Sequence, residues 1–187
     1  MRNMVRYGII LTLICIVSGV SLSFVYSKTS VIIAERQAQA TLKAMTVVLP
    51  SASDFETLTD EDIAAVAAGT KGIIEAYLGK AEDGSDAGAV VKVETPGYGG
   101  TIVLLVGMDI TGTCQGVQVI SQSETAGLGS LIKDEAFIGQ FAGKSGTLAI
   151  KKLGGEIDQV SGATISSRAA VEGVNNGLAF SKALLGL

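Results

Sequence analysis

The sequence predicts an α+β protein in which a single N-terminal transmembrane helix precedes an antiparallel β-sheet domain that ends in a C-terminal helix. Three observations support this class. Residues 7–26 carry no charge, the stretch 73–121 contains several strand patterns, and apolar residues recur at helical spacing after residue 170. These observations divide the 187 residues into an N-terminus over 1–6, a transmembrane helix over 7–26, a helical linker region over 27–69 and a folded domain over 70–187.

The uncharged run over 7–26 matches the length of about 20 residues that crosses a bilayer core. A buried core helix and a cleaved signal peptide are the alternatives, and Ser21–Ser23 is the best cleavage candidate. The run is longer than the about 7–15 apolar residues of a signal peptide. Arg2 and Arg6 precede the run, whereas only Lys28 follows it closely. The positive-inside rule therefore predicts a single-pass protein of the cell (inner) membrane, with a cytoplasmic N-terminus and an extracytoplasmic domain.

Small or weakly polar residues form a stripe along this run, at steps of three and four residues: Gly8, Thr12, Cys15, Gly19 and Ser23. Such a stripe is the usual surface on which membrane helices pack against one another. We therefore expect the run to dock against other membrane helices.

The elements that follow are predicted from their hydrophobic periodicity and their turn residues. Residues 29–49 have helix-forming composition, residues 51–59 read as a loop, and Asp60–Asp62 open a short helix that ends near Gly69. Strand patterns cover residues 73–78, 89–94, 101–106 and 116–121. Residues 131–141 are predicted to be helical and residues 143–152 to form a strand. The last helix is predicted from the apolar stripe of Val171, Val174, Leu178 and Leu185.

The composition of the chain excludes several classes of function. His is absent, which removes histidine acid–base catalysis and histidine metal ligands. Cys15 and Cys114 are the only cysteines, too few to hold an iron–sulfur cluster within this chain. Arg2 and Arg6 account for two of the 14 basic residues, so the other 12 stand against all 18 acidic ones after residue 26, and this net charge of −6 disfavours nucleic-acid binding. We assign no catalytic residue and no metal site.

The segment from Asp158 to Arg168, DQVSGATISSR, consists mainly of small residues and leads directly into the last helix. Ser161 is predicted to be the N-cap of that helix, with Gly162, Ala163 and Thr164 in its first turn. A first turn has unpaired N–H groups and the positive end of the helix dipole. The segment therefore predicts a site for a phosphate-bearing ligand, with the Thr164 hydroxyl in the same turn.

This segment resembles the flavinylation motif of the FMN-binding domain family, and more narrowly that of the G subunits of Rnf complexes. Two further stretches match the family. Tyr98-Gly99-Gly100 resembles its Gly-Tyr-Gly-Gly turn, and Ser123–Gly129 resembles its Glu-Thr-x-Gly-Leu-Gly loop, with Ala126 where proline is common. The resemblance implies that FMN is attached to Thr164 through a phosphoester bond made by a flavin transferase.

Bare backbone in these loops is expected to let the flat flavin ring approach, although each glycine is also explained by a turn and Glu124 by a solvated surface position. Ser161, Ser166 and Ser167 are alternative attachment hydroxyls, and Lys151, Lys152 and Arg168 are candidate partners of the phosphate. The expected cofactor-binding residues are Thr164, Ser161, Gly162, Ala163, Glu124, Thr125, Gly127, Leu128, Gly129, Tyr98, Gly99, Gly100, Lys152 and Arg168.

The resemblance implies a membrane-anchored electron-transfer subunit of an Rnf-type complex. Such a subunit relays electrons between ferredoxin and NAD, coupled to sodium or proton translocation. Its partners are the other membrane and peripheral subunits of the complex and, during maturation, the flavin transferase. The alternatives are the C subunit of a sodium-translocating NADH:quinone reductase, a pilin-like structural protein, and an extracytoplasmic binding protein for another phosphate ligand.

Overall fold

The computed structural model describes residues 2–66 and 69–187. The chain separates into two compact units, Met1–Ala40 and Thr41–Leu187. Helix α1 covers Arg2–Val48. Within it, Arg6–Ser30 is long and apolar enough to cross a membrane, and side chains such as Leu11 and Phe24 are exposed. Exposed apolar side chains over this length are expected where lipid is the surrounding solvent.

Among the described residues, five antiparallel strands form one sheet, and each strand pairs with the next one along the chain. The strands are β1 Asp54–Thr57, β2 Ile73–Lys80, β3 Asp86–Pro96, β4 Thr101–Asp109 and β5 Cys114–Ser121. The further α-helices of the described residues are α2 Asp60–Val66, α3 Glu135–Ile138 and α4 Thr164–Leu185. The predicted α+β class is confirmed, and the four strands predicted between residues 73 and 121 are all present.

Helices cover both faces of the sheet within the unit Thr41–Leu187. Because neighbouring side chains of a strand point to opposite faces, β4 contributes to both layers. Leu104 packs with Val174 and Leu178 of α4, whereas Leu105 packs with Met45 near the end of α1. Full burial of one such side chain contributes about 1.5–3 kcal/mol. The end of α1, predicted as part of a linker region, thus forms part of the domain core.

Two of the predicted elements are wrong. Residues 143–152 do not form a strand, although Leu148 and Ile150 are buried. The backbone N–H of Leu148 donates to the Asn175 side chain, and the Asn175 amide donates back to the Leu148 carbonyl, both at 2.8 Å. An amide of α4 therefore takes the place of a neighbouring strand. Conversely, the predicted loop over 51–59 contains β1, which is only four residues long and is defined by its pairing with β2.

Residues 131–141 are helical, as predicted, but they form short turns instead of one helix. A 3-10 turn over Gly129–Lys133 precedes α3, and a second one over Gly139–Phe141 follows it. Asp134 between the first turn and α3 is extended, with φ −75° and ψ 145°, and this breaks the helix. The chain thereby bends so that Phe137 and Phe141 pack edge to face in the core, with ring centroids 5.6 Å apart.

Cys114 lies in this core as well. Burial raises the pKa of the Cys114 thiol to about 12, so the thiol stays protonated at neutral pH. The structure therefore shows Cys114 as a buried, protonated side chain of the core.

Candidate functional site

A tight turn delivers the chain into α4. The backbone N–H of Ala163 donates to the Val160 carbonyl at 3.0 Å, and Gly162, the third residue of this turn, has a φ of +76°. A positive φ at this position is the signature of a type II turn and favours glycine. Helix α4 begins at Thr164, with Ala163 as its N-cap residue. The prediction that Ser161 is the N-cap is therefore wrong, because the turn places Ser161 outside the helix.

The first turn of α4 presents both donors and a hydroxyl. The N–H of Ser167 donates to the Ala163 carbonyl at 2.9 Å, and within the described residues the three N–H groups from Thr164 to Ser166 have no intramolecular acceptor. Such unpaired groups, at the positive end of a helix 22 residues long, favour an anion. The Thr164 hydroxyl oxygen accepts a hydrogen bond of 3.1 Å from the Gln159 side-chain amide.

Side chains from outside the turn hold the segment before α4 in place. The Gln140 amide pairs with the backbone of Asp158 in both directions, accepting from its N–H at 2.7 Å and donating to its carbonyl at 3.1 Å. The Ser167 hydroxyl accepts from the N–H of Val160 at 3.0 Å. The entry into α4 is thus anchored at both ends, which fixes the position of Thr164.

A cavity of about 410 Å³ opens beside this turn. Its volume falls within the about 300–1,000 Å³ of typical small-molecule sites. Three segments that are far apart in sequence form its walls: the turn after β3, the loop after β5 and the start of α4. The lining residues are Tyr98, Glu124, Thr125, Leu128, Gly129, Gly162, Ala163, Thr164, Ile165 and Ser166.

The structure brings most of the predicted site residues together in this cavity. Those that do not line it are Gly99, Gly100, Gly127, Ser161, Lys152 and Arg168. The side chains of Lys152 and Arg168 are exposed, and Lys151 is paired with Asp158 at 2.7 Å. The wall of the cavity is therefore mainly apolar and backbone, and none of the predicted cations reaches it.

Sequence reasoning missed two contributors. Ile165 lines the cavity and is 47% exposed. Its position beside Thr164 in the motif was the signal that could have identified it. Gln159 contacts the Thr164 hydroxyl, and no residue pattern identifies that contact. Glu124, for which a solvated surface position was one expectation, is buried with 8% exposure and accepts hydrogen bonds from Gly99 and Ser166.

Comparisons with known proteins agree with this geometry. Residues 97–179 match the model of the FMN-binding domain, and residues 1–48 match the model of the RnfG N-terminal region. The G subunit of the ion-translocating oxidoreductase complex of Methanosarcina acetivorans is 34% identical over 177 residues, covering 94% of this chain and 93% of that protein. The G subunit of the Na(+)-translocating ferredoxin:NAD(+) oxidoreductase complex of Acetobacterium woodii is 32% identical, covering 91% of this chain and 87% of that protein.

A solved structure has the same fold. The crystal structure of Shewanella oneidensis NqrC matches with a TM-score of 0.50 at 20% identity, covering 73% of this chain and 70% of that chain. At this identity the likeness concerns the fold alone.

The cavity, the three motifs around it and the matching domain model define a protein with an FMN-binding domain. The similarity to complete G subunits is more specific than that. The chain belongs to the family of G subunits of ion-translocating oxidoreductase complexes, and the resemblance stated from its motifs is confirmed. Membership in this family also sets aside the pilin-like alternative.

Proposed function

We propose that this chain is the membrane-anchored flavoprotein subunit of an Rnf-type complex. It relays electrons through FMN between ferredoxin and NAD, in coupling to sodium or proton translocation. The observation that carries this proposal is the meeting of three family motifs around one cavity, in a chain that is 34% identical to a G subunit over nearly its whole length. FMN supplies the electron chemistry when bound, and the protein binds and orients it.

The cavity has the features that FMN requires. Leu128, Ile165 and Tyr98 provide apolar surface for a ring, and the unpaired N–H groups at the start of α4 suit a phosphate. Thr164 lies at the junction of these two parts, since it is the first residue of α4 and lines the cavity. We infer that FMN is attached through a phosphoester bond to the Thr164 hydroxyl, formed by a flavin transferase.

The proposal also assigns the surroundings of the chain. The segment Arg6–Ser30 anchors it in the cell membrane, and the two N-terminal arginines favour a cytoplasmic N-terminus with the FMN domain on the extracytoplasmic side. A covalent bond keeps a cofactor that would otherwise be lost by dissociation into the extracellular volume. Ferredoxin and NAD are assigned to partner subunits of the complex, as are the membrane helices that pack against the anchor.

The attachment is tested with two variants of neighbouring hydroxyls. Wild type, Thr164→Val and Ser161→Ala are each produced together with a flavin transferase, and flavin fluorescence is measured after denaturation. We expect fluorescence in wild type and in Ser161→Ala, because the exposed Ser161 hydroxyl lies outside the helix. Thr164→Val keeps the shape of the side chain without its hydroxyl and should lose the fluorescence. Fluorescence that survives in Thr164→Val contradicts attachment at this residue.

A further inference from the structure

The carboxylate of Glu124 joins the three walls of the cavity. Its Oε1 atom accepts from the backbone N–H of Gly99 at 3.0 Å, in the turn after β3. Its Oε2 atom accepts from the Ser166 hydroxyl at 2.5 Å, in the first turn of α4. Both contacts come from donors, which is the arrangement that an ionised carboxylate, an acceptor only, requires. One buried side chain thus connects segments that lie 25 and 42 residues from it in sequence.

Two glycines of the motifs make room for this carboxylate. A Cβ atom at Gly97 would lie 2.1 Å from Oε1 of Glu124, and a Cβ atom at Gly129 would lie 2.7 Å from Oε2. Both distances are far shorter than the about 3.5–4.0 Å at which non-bonded carbon atoms pack. A Cβ atom would also lie 2.8 Å from the Gly100 carbonyl oxygen at Gly97 and 2.8 Å from the Ser166 hydroxyl at Gly129. The packing around the Glu124 carboxylate therefore leaves no room for a side chain at either position.

The charge of Glu124 has no cationic partner within the described ranges 2–66 and 69–187. The ion pairs found there join Lys80 to Asp86, Lys92 to Glu75, Lys144 to Glu156 and Lys151 to Asp158. Burying an unpaired charge destabilises a protein. A glutamine in the same place would accept from Gly99 with its carbonyl and donate to Ser166 with its amide, without that cost. The hydrogen bonds account for the position of Glu124, but they do not account for its charge.

We propose that Glu124 is the positioning residue of the flavin site and that its buried negative charge lowers the reduction potential of the bound FMN. This inference rests on the proposed function. Reduction of a bound FMN by two electrons with uptake of one proton would leave one negative charge on its ring. A carboxylate that lines the same cavity would repel that charge, and a poorly solvated wall screens the repulsion weakly. Glu124 would thereby make a bound FMN a stronger electron donor when reduced.

The test separates the charge from the hydrogen bonds. Full-length wild type, Glu124→Gln, Ser166→Ala and Glu172→Gln are purified in detergent after production with a flavin transferase. The midpoint potential of the retained FMN is measured by spectroelectrochemistry, and the melting temperature is measured in parallel. Glu172 is an exposed acid of α4, so Glu172→Gln removes the same charge away from the cavity wall and serves as the matched control.

We expect Glu124→Gln to have a melting temperature at or above that of wild type and to raise the potential. At the wild-type midpoint, its ratio of reduced to oxidised FMN should rise at least tenfold, a shift of about 30 mV for a two-electron couple. Ser166→Ala keeps the charge and should not raise the potential, and Glu172→Gln should match wild type. An unchanged potential in Glu124→Gln overturns the inference. So does a Glu124→Gln chain that fails to fold, because the amide is expected to keep both hydrogen bonds. Wild type without retained FMN contradicts the proposed function itself.

Discussion

At the scale of single residues, the Thr164 hydroxyl has a neighbour that its motif does not reveal. The Gln159 amide donates to the hydroxyl oxygen of Thr164, while the amide oxygen of Gln159 is buried and, among the described residues, has no partner. An oxygen that becomes part of an ester loses its hydrogen but still accepts hydrogen bonds. The contact is therefore compatible with Thr164 before and after attachment of a phosphate, and it restricts the rotation of the hydroxyl.

We expect Gln159→Leu to reduce flavin attachment about two- to tenfold at limiting transferase, because the net contribution of one hydrogen bond is about 0.5–1.5 kcal/mol. The measurement is flavin fluorescence per mole of denatured protein over a time course. Gln118→Leu makes the same change on β5, away from the turn, and should attach flavin at the wild-type rate. Equal rates in the two variants would show that Gln159 does not position the hydroxyl.

Single residues also mark how far the sequence leads into the site. The Ser161–Thr164 and Glu124–Gly129 motifs are each a short continuous stretch of sequence, so their resemblance to a family could be recognised from the sequence. The partner of Glu124 was not, since Ser166 lies 42 residues away and only the packing of α4 brings it near. The N-cap was misassigned for a similar reason, because a serine is a common N-cap but the type II turn excludes Ser161 from the helix.

At the scale of elements, the hairpin between β4 and β5 is closed by one carboxylate. Asp109 accepts from the N–H groups of Thr111 at 2.8 Å and Thr113 at 3.0 Å, and from the Gln115 amide at 2.6 Å. Partial burial acts to raise the pKa of Asp109, but the hydrogen bonds, led by the one from the Thr111 hydroxyl, outweigh it and lower the pKa. The hairpin therefore depends on an ionised side chain.

Asp109→Ala should lower the free energy of unfolding by roughly 1–2 kcal/mol at pH 7, a value reduced for the partial exposure of the group. The pKa is lowered on folding, so this contribution is complete above the ordinary value of 3.8 and is lost as the pH falls through the lower folded value. Urea unfolding at pH 7 and at pH 3 measures it. A difference between wild type and variant that is equally large at both values would contradict the role of the charge.

An element could be predicted where its own residues carry a clear hydrophobic periodicity. Strands β2 to β5 and helix α4 carry clear periodicity, and each of them was expected. The strand predicted over 143–152 is wrong because the Asn175 side chain of α4 makes hydrogen bonds with the backbone N–H and carbonyl of Leu148. No local sequence pattern encodes this contact. Strand β1 was not predicted because it is short and has little apolar pattern. Phe55 is the one half-buried apolar residue among its four positions.

At the scale of the whole molecule, the proposed orientation puts the FMN domain on the extracytoplasmic side of the bilayer. The apolar segment Arg6–Ser30 separates the N-terminus from the unit Thr41–Leu187 along the chain. Composition and charge bias predicted an anchored chain, whereas the electron-transfer role followed only from motif resemblance. No pattern of charge or hydrophobicity specifies a flavin.

A cysteine introduced on each side of the apolar segment tests the orientation, with Cys15 replaced by Ala and the buried Cys114 retained. Glu82→Cys lies in the exposed hairpin after β2, and Asn3→Cys precedes the apolar segment. We expect a membrane-impermeant maleimide to label Glu82→Cys in intact cells, and Asn3→Cys only after the membrane is opened. The reverse pattern would place the FMN domain in the cytoplasm.

The central claim is that Thr164 carries FMN at the start of α4, and peptide mass spectrometry tests it most directly. Trypsin releases the peptide from Leu153 to Arg168, which contains Thr164 together with Ser161, Ser166 and Ser167. In protein isolated from its native membrane, we predict that this peptide carries one FMN through its phosphate and that fragmentation locates it on Thr164. An unmodified peptide, or FMN on any of the three serines, would contradict the account.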